Sequence, residues 1–380
     1  MIYLDHNAIT PMRPEALSAA ERALRTFGNP SSVHAAGRAA RDVLDGARAG
    51  VARALSTRPA EVVFTSGATE SAALAIRGAL AAAPAGRRGL AVSAVEHPCV
   101  LDLARELARD ERVPVQVVSV DRRGVLDLEA LQQAVSEETA LVACMLANNE
   151  TGVLQPVAEV AEVARRAGAL FLCDAVQAVG KLAVEVGALG ADLVAITGQK
   201  FGGPRGAGAL WIRPDLRLRP LFGGHQERGR RAGTENLPGV AGLGAAIEAA
   251  SAAREVEAPR MRALRDRLES GLLAAIPRSR VNGAGAERLP TTASVTMEGC
   301  DSEALLIAMD LAGLCASAGA ACTSGSTKPS HVLSAMGLSA REARATIRFS
   351  VGWPTTGKEV DEALRLLPPL VERVRREIPM

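Results

Sequence analysis

Three polar side chains lie at or shortly after the ends of short apolar runs of the sequence, where strands are expected to end. His97 follows "GLAVSA", Asp174 comes near the end of "ALFLCDA", and Lys200 follows "DLVAIT". In an open α/β sheet, ligands bind at the carboxyl ends of the strands, so these side chains are predicted to meet at one site. A carboxylate at the end of a buried strand is costly unless it meets a cation or hydrogen-bond donors.

A glycine-containing turn, "TSGATES" (65–71), opens a predicted helix after another apolar run. Exposed amides and the helix dipole at such a point suit a phosphate group. The turn lacks both the Gly-Lys-Ser/Thr of a Walker A loop and the spacing of a G-x-G-x-x-G motif. Considered alone, it is more often a helix start whose amides are satisfied by Ser66 or Thr69.

Each of these residues also has an ordinary structural explanation. His97 could be a satisfied core histidine, Asp174 a helix cap and Lys200 a surface residue. Together, however, a phosphate-binding turn, an imidazole, a buried Asp and a strand-end Lys are the parts needed to hold pyridoxal phosphate. The Lys would form a Schiff base, and the Asp would keep the ring nitrogen protonated so that the ring acts as an electron sink.

Cys322 stands among small, turn-forming residues in "GAACTSGSTKPSHVL" (319–333). A cysteine used for packing usually lies in an apolar run, as Cys144 and Cys173 do, and these two are predicted to be inert core. None of the six cysteines forms a C-x-x-C pair, so neither a metal site nor a disulfide framework is expected. Cys322 is therefore a candidate reactive thiol on a solvent-facing loop.

The composition is that of an ordinary globular protein, with 380 residues, 48% hydrophobic, 23% charged and a net charge of +2. No basic block stands out, which argues against nucleic acid or an anionic membrane as a partner. The first residues lack the basic and apolar regions of a signal peptide, and no apolar stretch is long enough to span a membrane. The sequence therefore predicts a cytoplasmic protein.

Apolar runs that indicate strands alternate with helical patterns over residues 15–254, which predicts an α/β domain with a mostly parallel, seven-stranded sheet covered on both faces. The runs are 61–66, 89–94, 113–120, 140–146, 169–175, 192–197 and 208–213. From residue 255 the pattern changes to that of a smaller α+β domain. This second domain is predicted to comprise 1–14 and 255–380 and to carry a mobile cysteine loop at about 319–330.

A series of short motifs runs along nearly the whole chain. They are "YLDHNA" (3–8), "GNPSSVHAAGR" (28–38), "FTSGATES" (64–71), "EHPCVL" (96–101), "NNETGVLQP" (148–156), "DAVQAVGK" (174–181), "KFGGPRGAGAL" (200–210), "RRAGTEN" (230–236), "AACTSG" (320–325), "SHVLSAMG" (330–337) and "TIRFSVG" (346–352). In this order they resemble the motifs of NifS/IscS-like cysteine desulfurases, which belong to the class-V aminotransferases. The resemblance implies the fold-type I architecture of pyridoxal-phosphate enzymes.

The resemblance also implies a role for each matching residue at the cofactor. Lys200 matches the Schiff-base lysine, which moves protons at the substrate Cα, and Asp174 matches the partner of the ring nitrogen. Gln177 matches the donor to the phenolic oxygen of the ring, and His97 matches the imidazole stacked on the cofactor. The other cofactor contacts implied are Ala68, Thr69, Thr197, Gln199 and Thr234, the last reaching the phosphate from the neighbouring subunit of a homodimer.

For the substrate, the resemblance implies that Asn148 and Arg348 hold the carboxylate, a task suited to the two-pronged guanidinium. The activity implied is removal of sulfur from L-cysteine to give L-alanine, with Cys322 as the nucleophile. Its persulfide would pass to an acceptor protein, and a loop of small residues would let the thiol serve both steps. Nitrogenase clusters, general iron–sulfur cluster assembly and tRNA thiolation all stay open as destinations of the sulfur.

The chain departs from the family pattern at "TGQK", where Gln199 replaces the usual His before Lys200. Gln can donate a hydrogen bond to phosphate but carries no charge. We expect differently tuned cofactor binding rather than loss of function. Two alternatives remain at this point: a selenocysteine lyase, which shares the scaffold, and a catalytically silent paralogue that acts as a scaffold.

Overall fold

A computed structural model describes residues 1–319 and 329–377 of the chain. Within these ranges the strands are β1 (Ile2–Tyr3), β2 (Val62–Thr65), β3 (Gly89–Ser93), β4 (Val115–Val118), β5 (Thr139–Met145), β6 (Leu170–Asp174), β7 (Leu193–Thr197), β8 (Gly208–Ile212), β9 (Ser279–Val281), β10 (Thr292–Met297), β11 (Leu314–Cys315), β12 (Ser317–Ala318) and β13 (Thr346–Ser350). The helices are α1 (Pro14–Arg25), α2 (Ala35–Ala54), α3 (Ala68–Ala82), α4 (Pro98–Asp110), α5 (Leu128–Ala134), α6 (Val157–Ala167), α7 (Val186–Leu189), α8 (Leu237–Ala275), α9 (Ser302–Leu311), α10 (His331–Ala335), α11 (Ala340–Arg344) and α12 (Gly357–Glu377).

Seven of these strands form the central sheet, in the order β2-β8-β7-β6-β5-β3-β4. The strands from β7 through β6, β5 and β3 to β4 run parallel, whereas β8 is antiparallel to both β7 and β2. The predicted sheet is therefore confirmed. Each strand lies within its predicted apolar run, except that β5 begins one residue earlier.

Helices cover both faces of this sheet, as the continuous apolar character of its inner strands requires. Side chains alternate between the faces along a strand, so Phe171 of β6 packs with Leu44 of α2 and Ile247 of α8 on one side. Leu172 packs on the other side in a cluster that includes Leu74 of α3. The two clusters hold the strands rigidly, and the strands in turn fix the positions of the residues at their carboxyl ends.

A second, antiparallel sheet has the order β12-β13-β10-β9, and β1 pairs in parallel with β11. A separate apolar cluster packs against these strands and includes Leu4, Leu268 and Phe349. This cluster thus joins the first residues of the chain to its last third. The first strand is short, but its pairing with β11 carries the N-terminal segment toward the central sheet.

Helix α8 links the two apolar clusters along a single run of 39 residues that contains Pro259. Its first half packs against the central sheet and its second half against the other cluster. The predicted domain boundary at 254/255 falls inside this helix, and the division into two domains stays a prediction. Among the described helices, neither α8 nor any other is both long and apolar enough to cross a membrane.

Candidate active site

A cavity of about 900 Å³ opens at the carboxyl ends of the parallel strands β3, β5, β6 and β7. Ligands of open α/β sheets bind at this edge. The residues predicted from the sequence that line the cavity are Ala68, Thr69, His97, Asp174, Gln177, Thr197, Gln199, Lys200 and Arg348. The fold therefore brings together side chains that are up to 280 positions apart in the sequence (348 minus 68).

The N-terminus of α3 forms one wall of the cavity through Gly67, Ala68 and Thr69. The first amides of any helix have no acceptor within the helix. No side chain caps this helix, so these amides also lack a side-chain acceptor at the N-cap. Gly67 has a φ of 155° and a ψ of −179°, a conformation that is essentially restricted to glycine. The turn consequently presents open amides at the positive end of the helix dipole, where a phosphate is favoured.

Lys200 lies in a short turn directly after β7, and the N-terminal segment of the chain positions its side chain. Its Nζ donates to the backbone oxygens of Asn7 at 2.8 Å and Ala8 at 2.7 Å. Nearby, the Thr197 hydroxyl donates to Gln199 Oε1 at 2.6 Å. The amide that stands where the family usually has His is therefore bonded to a neighbouring predicted phosphate contact.

Asp174 ends β6, and its Oδ1 accepts the backbone N–H of Val176 at 2.9 Å. Burial raises the pKa of Asp174 to about 6, although the Val176 N–H and Lys200 act in the opposite direction. Glu96 is also fully buried, and burial together with the nearby Asp174 raises the pKa of Glu96 to about 8. Glu96 is therefore mostly uncharged at neutral pH, and a cation beside Asp174 would keep that carboxylate ionised.

His97 caps the N-terminus of α4, and its Nδ1 accepts the backbone N–H of Cys99 at 3.2 Å. Because Nδ1 acts as an acceptor, the proton of the neutral ring lies on Nε2. Burial lowers the pKa of His97 to about 4, and the charge of Lys200 adds to this effect. The imidazole is thus neutral at pH 7 and offers a donor at Nε2.

Gln177 is buried, and two hydrogen bonds orient its amide. Its Nε2 donates to the backbone oxygen of Asn7 at 3.0 Å, and its Oε1 accepts from Lys181 Nζ at 2.7 Å. Sequence reasoning missed both Asn7 and Lys181, although they stand in the motifs "YLDHNA" and "DAVQAVGK". Lys181 closes a motif that already contains Asp174 and Gln177, and this was the available signal for it.

Arg348 lies on β13 and is buried at the side of the cavity. It donates to Asp5 Oδ1 at 2.7 Å and to the backbone oxygen of Asn149 at 3.1 Å. Its Nε has no hydrogen-bond partner among the described residues. Each terminal nitrogen of the guanidinium also carries a second N–H, which is a suitable donor to a carboxylate bound in the cavity.

Asn148, which is predicted to hold the substrate carboxylate, is not part of the cavity lining formed by the described residues. Its Oδ1 accepts the N–H groups of Glu150 and Thr151, and its Nδ2 donates to the backbone oxygen of Val95. The side chain therefore stabilises the turn after β5. The next residue, Asn149, lines the cavity instead. Two adjacent asparagines in "NNETG" cannot be told apart by residue type.

Two further predictions concern residues that the described structure does not bring to the cavity. Thr234, for which a contact to the phosphate of a neighbouring subunit is expected, is exposed on this chain. Cys322 and most of the predicted loop at about 319–330 lie outside the described residues. The described residues nearest to Cys322 on either side, Gly319 and Pro329, both line the cavity.

Comparison with known proteins identifies the family of the chain. The family model for class-V aminotransferases matches residues 2–363. A cysteine desulfurase of Cereibacter sphaeroides is 47% identical over 377 residues, which cover 98% of this chain and 96% of that relative. The chain belongs to the cysteine desulfurases of the class-V aminotransferase family. The family predicted from the motifs is thereby confirmed.

Solved structures of related proteins agree with this cysteine desulfurase assignment. A NifS-like protein matches with a TM-score of 0.91 at 34% identity, over 98% of this chain and 99% of that one. SspA in complex with cysteine matches with a TM-score of 0.81 at 31% identity, over 94% of this chain and all of the other (100%). The predicted fold-type I architecture is confirmed by these matches.

Proposed function

We propose that this chain is a pyridoxal-phosphate-dependent cysteine desulfurase that takes sulfur from L-cysteine, releases L-alanine and holds the sulfur as a persulfide on Cys322. The observation that carries the proposal is the meeting of Lys200, Asp174 and the uncapped N-terminus of α3 in one cavity. Membership of the cysteine desulfurases supports it, as does the cysteine bound to the related SspA.

The cavity residues fit the cofactor in charge and in hydrogen bonding. The open amides of α3, with Thr69 and Thr197, would hold the phosphate. Asp174, buried beside an uncharged Glu96, would pair with the protonated ring nitrogen. The residues that would complete the binding site are Lys200 as the attachment point, His97 against the ring, Gln177 at the ring oxygen, and Ala68, Gln199 and a partner subunit's copy of Thr234 at the phosphate. When bound, the cofactor supplies an electron sink conjugated to the substrate Cα.

Arg348 and Asn149 would orient the substrate by its carboxylate. Arg348 lines the cavity, and one hydrogen bond from each of its terminal nitrogens, to Asp5 and to the Asn149 backbone, fixes the guanidinium. A guanidinium fixed in this way loses little freedom on binding, which favours one orientation of the amino acid. The substrate Cα would then face Lys200.

Lys200 would take the proton from the substrate Cα and return one during release of the product. Its anchors at Asn7 and Ala8 are backbone oxygens, which keep the amino group in the cavity. The neutral His97 ring carries its proton on Nε2 and is therefore suited to donate rather than accept at that atom. Lys200 would thus carry the proton transfers at Cα, and His97 would contribute a hydrogen-bond donor.

Cys322, as a thiolate, would attack the sulfur of the substrate. The new S–S bond forms as the Cβ–S bond of the substrate breaks, and the electron pair released toward the carbon is finally quenched by protons to give alanine. One thiol and one cysteine are thereby converted into one persulfide and one alanine, with no external oxidant. Gly319 and Pro329 line the cavity, which supports this role for the segment between them.

The remaining parts of the proposal concern the setting of the enzyme. We expect a homodimer, since the predicted phosphate contact of Thr234 crosses between subunits. The persulfide would pass to a protein acceptor, for iron–sulfur cluster assembly or another sulfur transfer. We also propose a cytoplasmic location.

The substitution Cys322→Ser tests the nucleophile. We expect alanine and sulfide formation from L-cysteine, in the presence of a reductant, to fall by at least about a thousandfold, because a hydroxyl cannot take up the sulfur at a comparable rate. The visible absorbance of the bound cofactor should be unchanged. The matched control is Cys315→Ser, a partly exposed thiol on β11.

Normal turnover by Cys322→Ser would contradict the assignment of the nucleophile. Loss of turnover in Cys315→Ser as well would point to a general sensitivity of the fold. Faster turnover of selenocysteine than of cysteine by the unaltered protein, without need of Cys322, would favour the selenocysteine lyase.

A further inference from the structure

Lys181 is a buried lysine that the proposed reaction does not use. The side chain is 6% exposed, and its Nζ lies 2.7 Å from Gln177 Oε1 and 3.4 Å from Asn7 Oδ1. Among the described residues, the charges that act on it are those of Lys200 and Arg348, and both are positive. Burial of an ammonium without a carboxylate is unfavourable, so packing alone does not explain a lysine here.

The contact with Lys181 decides which end of the Gln177 amide faces which neighbour. An ammonium has three donors and no acceptor, so the group opposite it must be the carbonyl oxygen of the amide. The amide nitrogen is then turned away from Lys181 and donates one N–H to the backbone oxygen of Asn7. Its second N–H has no acceptor among the described residues, and Gln177 lines the cavity.

We propose that Lys181 is a positioning residue that holds the Gln177 amide with a donor, not an acceptor, toward the bound ligand. The inference rests on the proposed function, in which an oxygen of the cofactor ring lies at Gln177. An amide in the opposite orientation would set its carbonyl against that electron-rich oxygen, and binding would be weakened. Lys181 therefore acts on the cofactor through Gln177.

Asn7 strengthens this arrangement because it contacts both lysines and the amide. Its side-chain oxygen faces Lys181, and its backbone oxygen accepts from Gln177 and from Lys200. Its Nδ2 is bonded to Thr292 Oγ1 at 2.8 Å, which fixes the Asn7 amide in turn. Two contacts thus fix the orientation of the Gln177 amide: the ammonium group of Lys181 donates to its oxygen, and the backbone oxygen of Asn7 accepts from its nitrogen.

Burial also lowers the pKa of Lys181 to about 7, with Lys200 and Arg348 acting in the same direction. A ligand that carries a phosphate and an electron-rich ring oxygen brings negative charge into the cavity. That charge favours the ammonium form of Lys181, which is the form that can only donate. The bound cofactor would therefore favour the charged form of Lys181, and the charged lysine would favour the orientation of Gln177 that binds the cofactor.

The test measures cofactor retention rather than turnover. Holoprotein is dialysed against graded concentrations of pyridoxal 5'-phosphate, and the visible absorbance of the bound cofactor gives the apparent dissociation constant. For Lys181→Met, which keeps the length of the chain and removes the donor, we expect this constant to rise about tenfold. Lys358→Met, an exposed lysine at the start of α12, is the matched control and should leave it unchanged.

A double-mutant cycle shows whether the effect passes through Gln177. In a Gln177→Ala background, Lys181→Met should change the dissociation constant by no more than about twofold, because the amide it orients is gone. An equal effect of Lys181→Met in both backgrounds would overturn the inference, since the lysine would then act directly. An unaltered constant in Lys181→Met itself would overturn it as well.

Gln177→Glu is a second variant that does not depend on tolerance of Lys181→Met. The carboxylate can keep the bond to Lys181 but presents an acceptor to the cavity, so we expect the dissociation constant to rise at least about tenfold. Retention as in the unaltered protein would overturn the inference. If the unaltered protein shows no cofactor absorbance, the proposed function fails and this inference fails with it.

Discussion

At the scale of single residues, the candidate site contains or adjoins two buried carboxyl groups that differ in their protonation, Asp174 and Glu96. Asp174 is the one predicted from the sequence, and in the proposed complex its charge would pair with the protonated ring nitrogen of the cofactor. Glu96 accepts the backbone N–H of Met145 and is kept protonated by burial and by the nearby Asp174. One carboxyl can thus serve the ring nitrogen while the other adds no second negative charge.

The substitution Glu96→Gln tests this difference through stability. In the unfolded chain the pKa of Glu96 returns to its ordinary value near 4.5, whereas in the folded chain it is about 8. Between these values the folded state keeps a proton that the unfolded state has lost, so stability falls as pH rises through this window and is flat above it. Gln keeps the acceptor for Met145 without the titration.

We therefore expect the free energy of unfolding of Glu96→Gln, minus that of the unaltered protein, to increase as the pH rises from about 5 to about 8. The gain should be on the order of 3 kcal/mol. Urea unfolding of the cofactor-free chain at fixed protein concentration measures it. If the unfolding free energies of the two proteins instead change in parallel with pH, Glu96 is ionised in the folded state, which would contradict this prediction.

The sequence predicted the residues whose role follows from their type at a strand end, such as Lys200 and Asp174. It missed Lys181 and Asn7, because their roles depend on contacts between parts of the chain that are far apart in sequence. Asn7 meets Lys200 across 193 positions, and no local pattern encodes that meeting. It also could not separate Asn148 from Asn149, since only the backbone of the turn after β5 decides which side chain reaches the cavity.

At the scale of elements, the turn between β2 and α3 determines how a phosphate can be held. The backbone of Gly67 has a conformation that a side chain strains, and the amides that follow it have no cap. A Cβ on Gly67 would meet no atom closer than Thr197 Oγ1 at 3.5 Å, so backbone strain and not a clash opposes substitution. The turn therefore depends on glycine for its shape.

Gly67→Ala should weaken cofactor retention by about tenfold or more, because relief of the strain turns the amides of α3 away from the phosphate. Dialysis of the holoprotein with absorbance detection measures this change. Gly46→Ala is the matched control, as Gly46 is exposed within α2 and an added Cβ would meet nothing within 4 Å. This control should retain the cofactor normally and gain about 0.5–1 kcal/mol of stability.

Cofactor retention by Gly67→Ala equal to that of the unaltered protein would remove the α3 turn from the proposed phosphate site.

The strands around this turn were predictable, because each is a short apolar run with glycine or polar residues at its ends. The full length of helix α8 was harder to predict from the sequence. The change of pattern near residue 255 suggested a break, but the helix continues through Pro259 because its two halves pack on different apolar clusters.

At the scale of the whole molecule, the N-terminal segment connects the second sheet to the cavity. The backbone N–H of Asn7 donates to Ser350 Oγ of β13 at 2.8 Å, and its backbone oxygen accepts from Lys200. Arg348 of the same strand reaches Asp5 in this segment. Arg348 of the second sheet and Lys200, which follows the central sheet, are therefore both bonded to one short stretch of chain.

The central claim is that sulfur leaves L-cysteine and arrives on Cys322. The most direct measurement is a single turnover, with L-cysteine equal in amount to the holoprotein and no external thiol, followed by quantification of alanine and mass analysis of the cysteine-containing peptides. The account predicts one alanine per active site and a gain of one sulfur atom on the peptide that contains Cys322 alone. Alanine without that gain, sulfur on another cysteine, or pyruvate in place of alanine would contradict it.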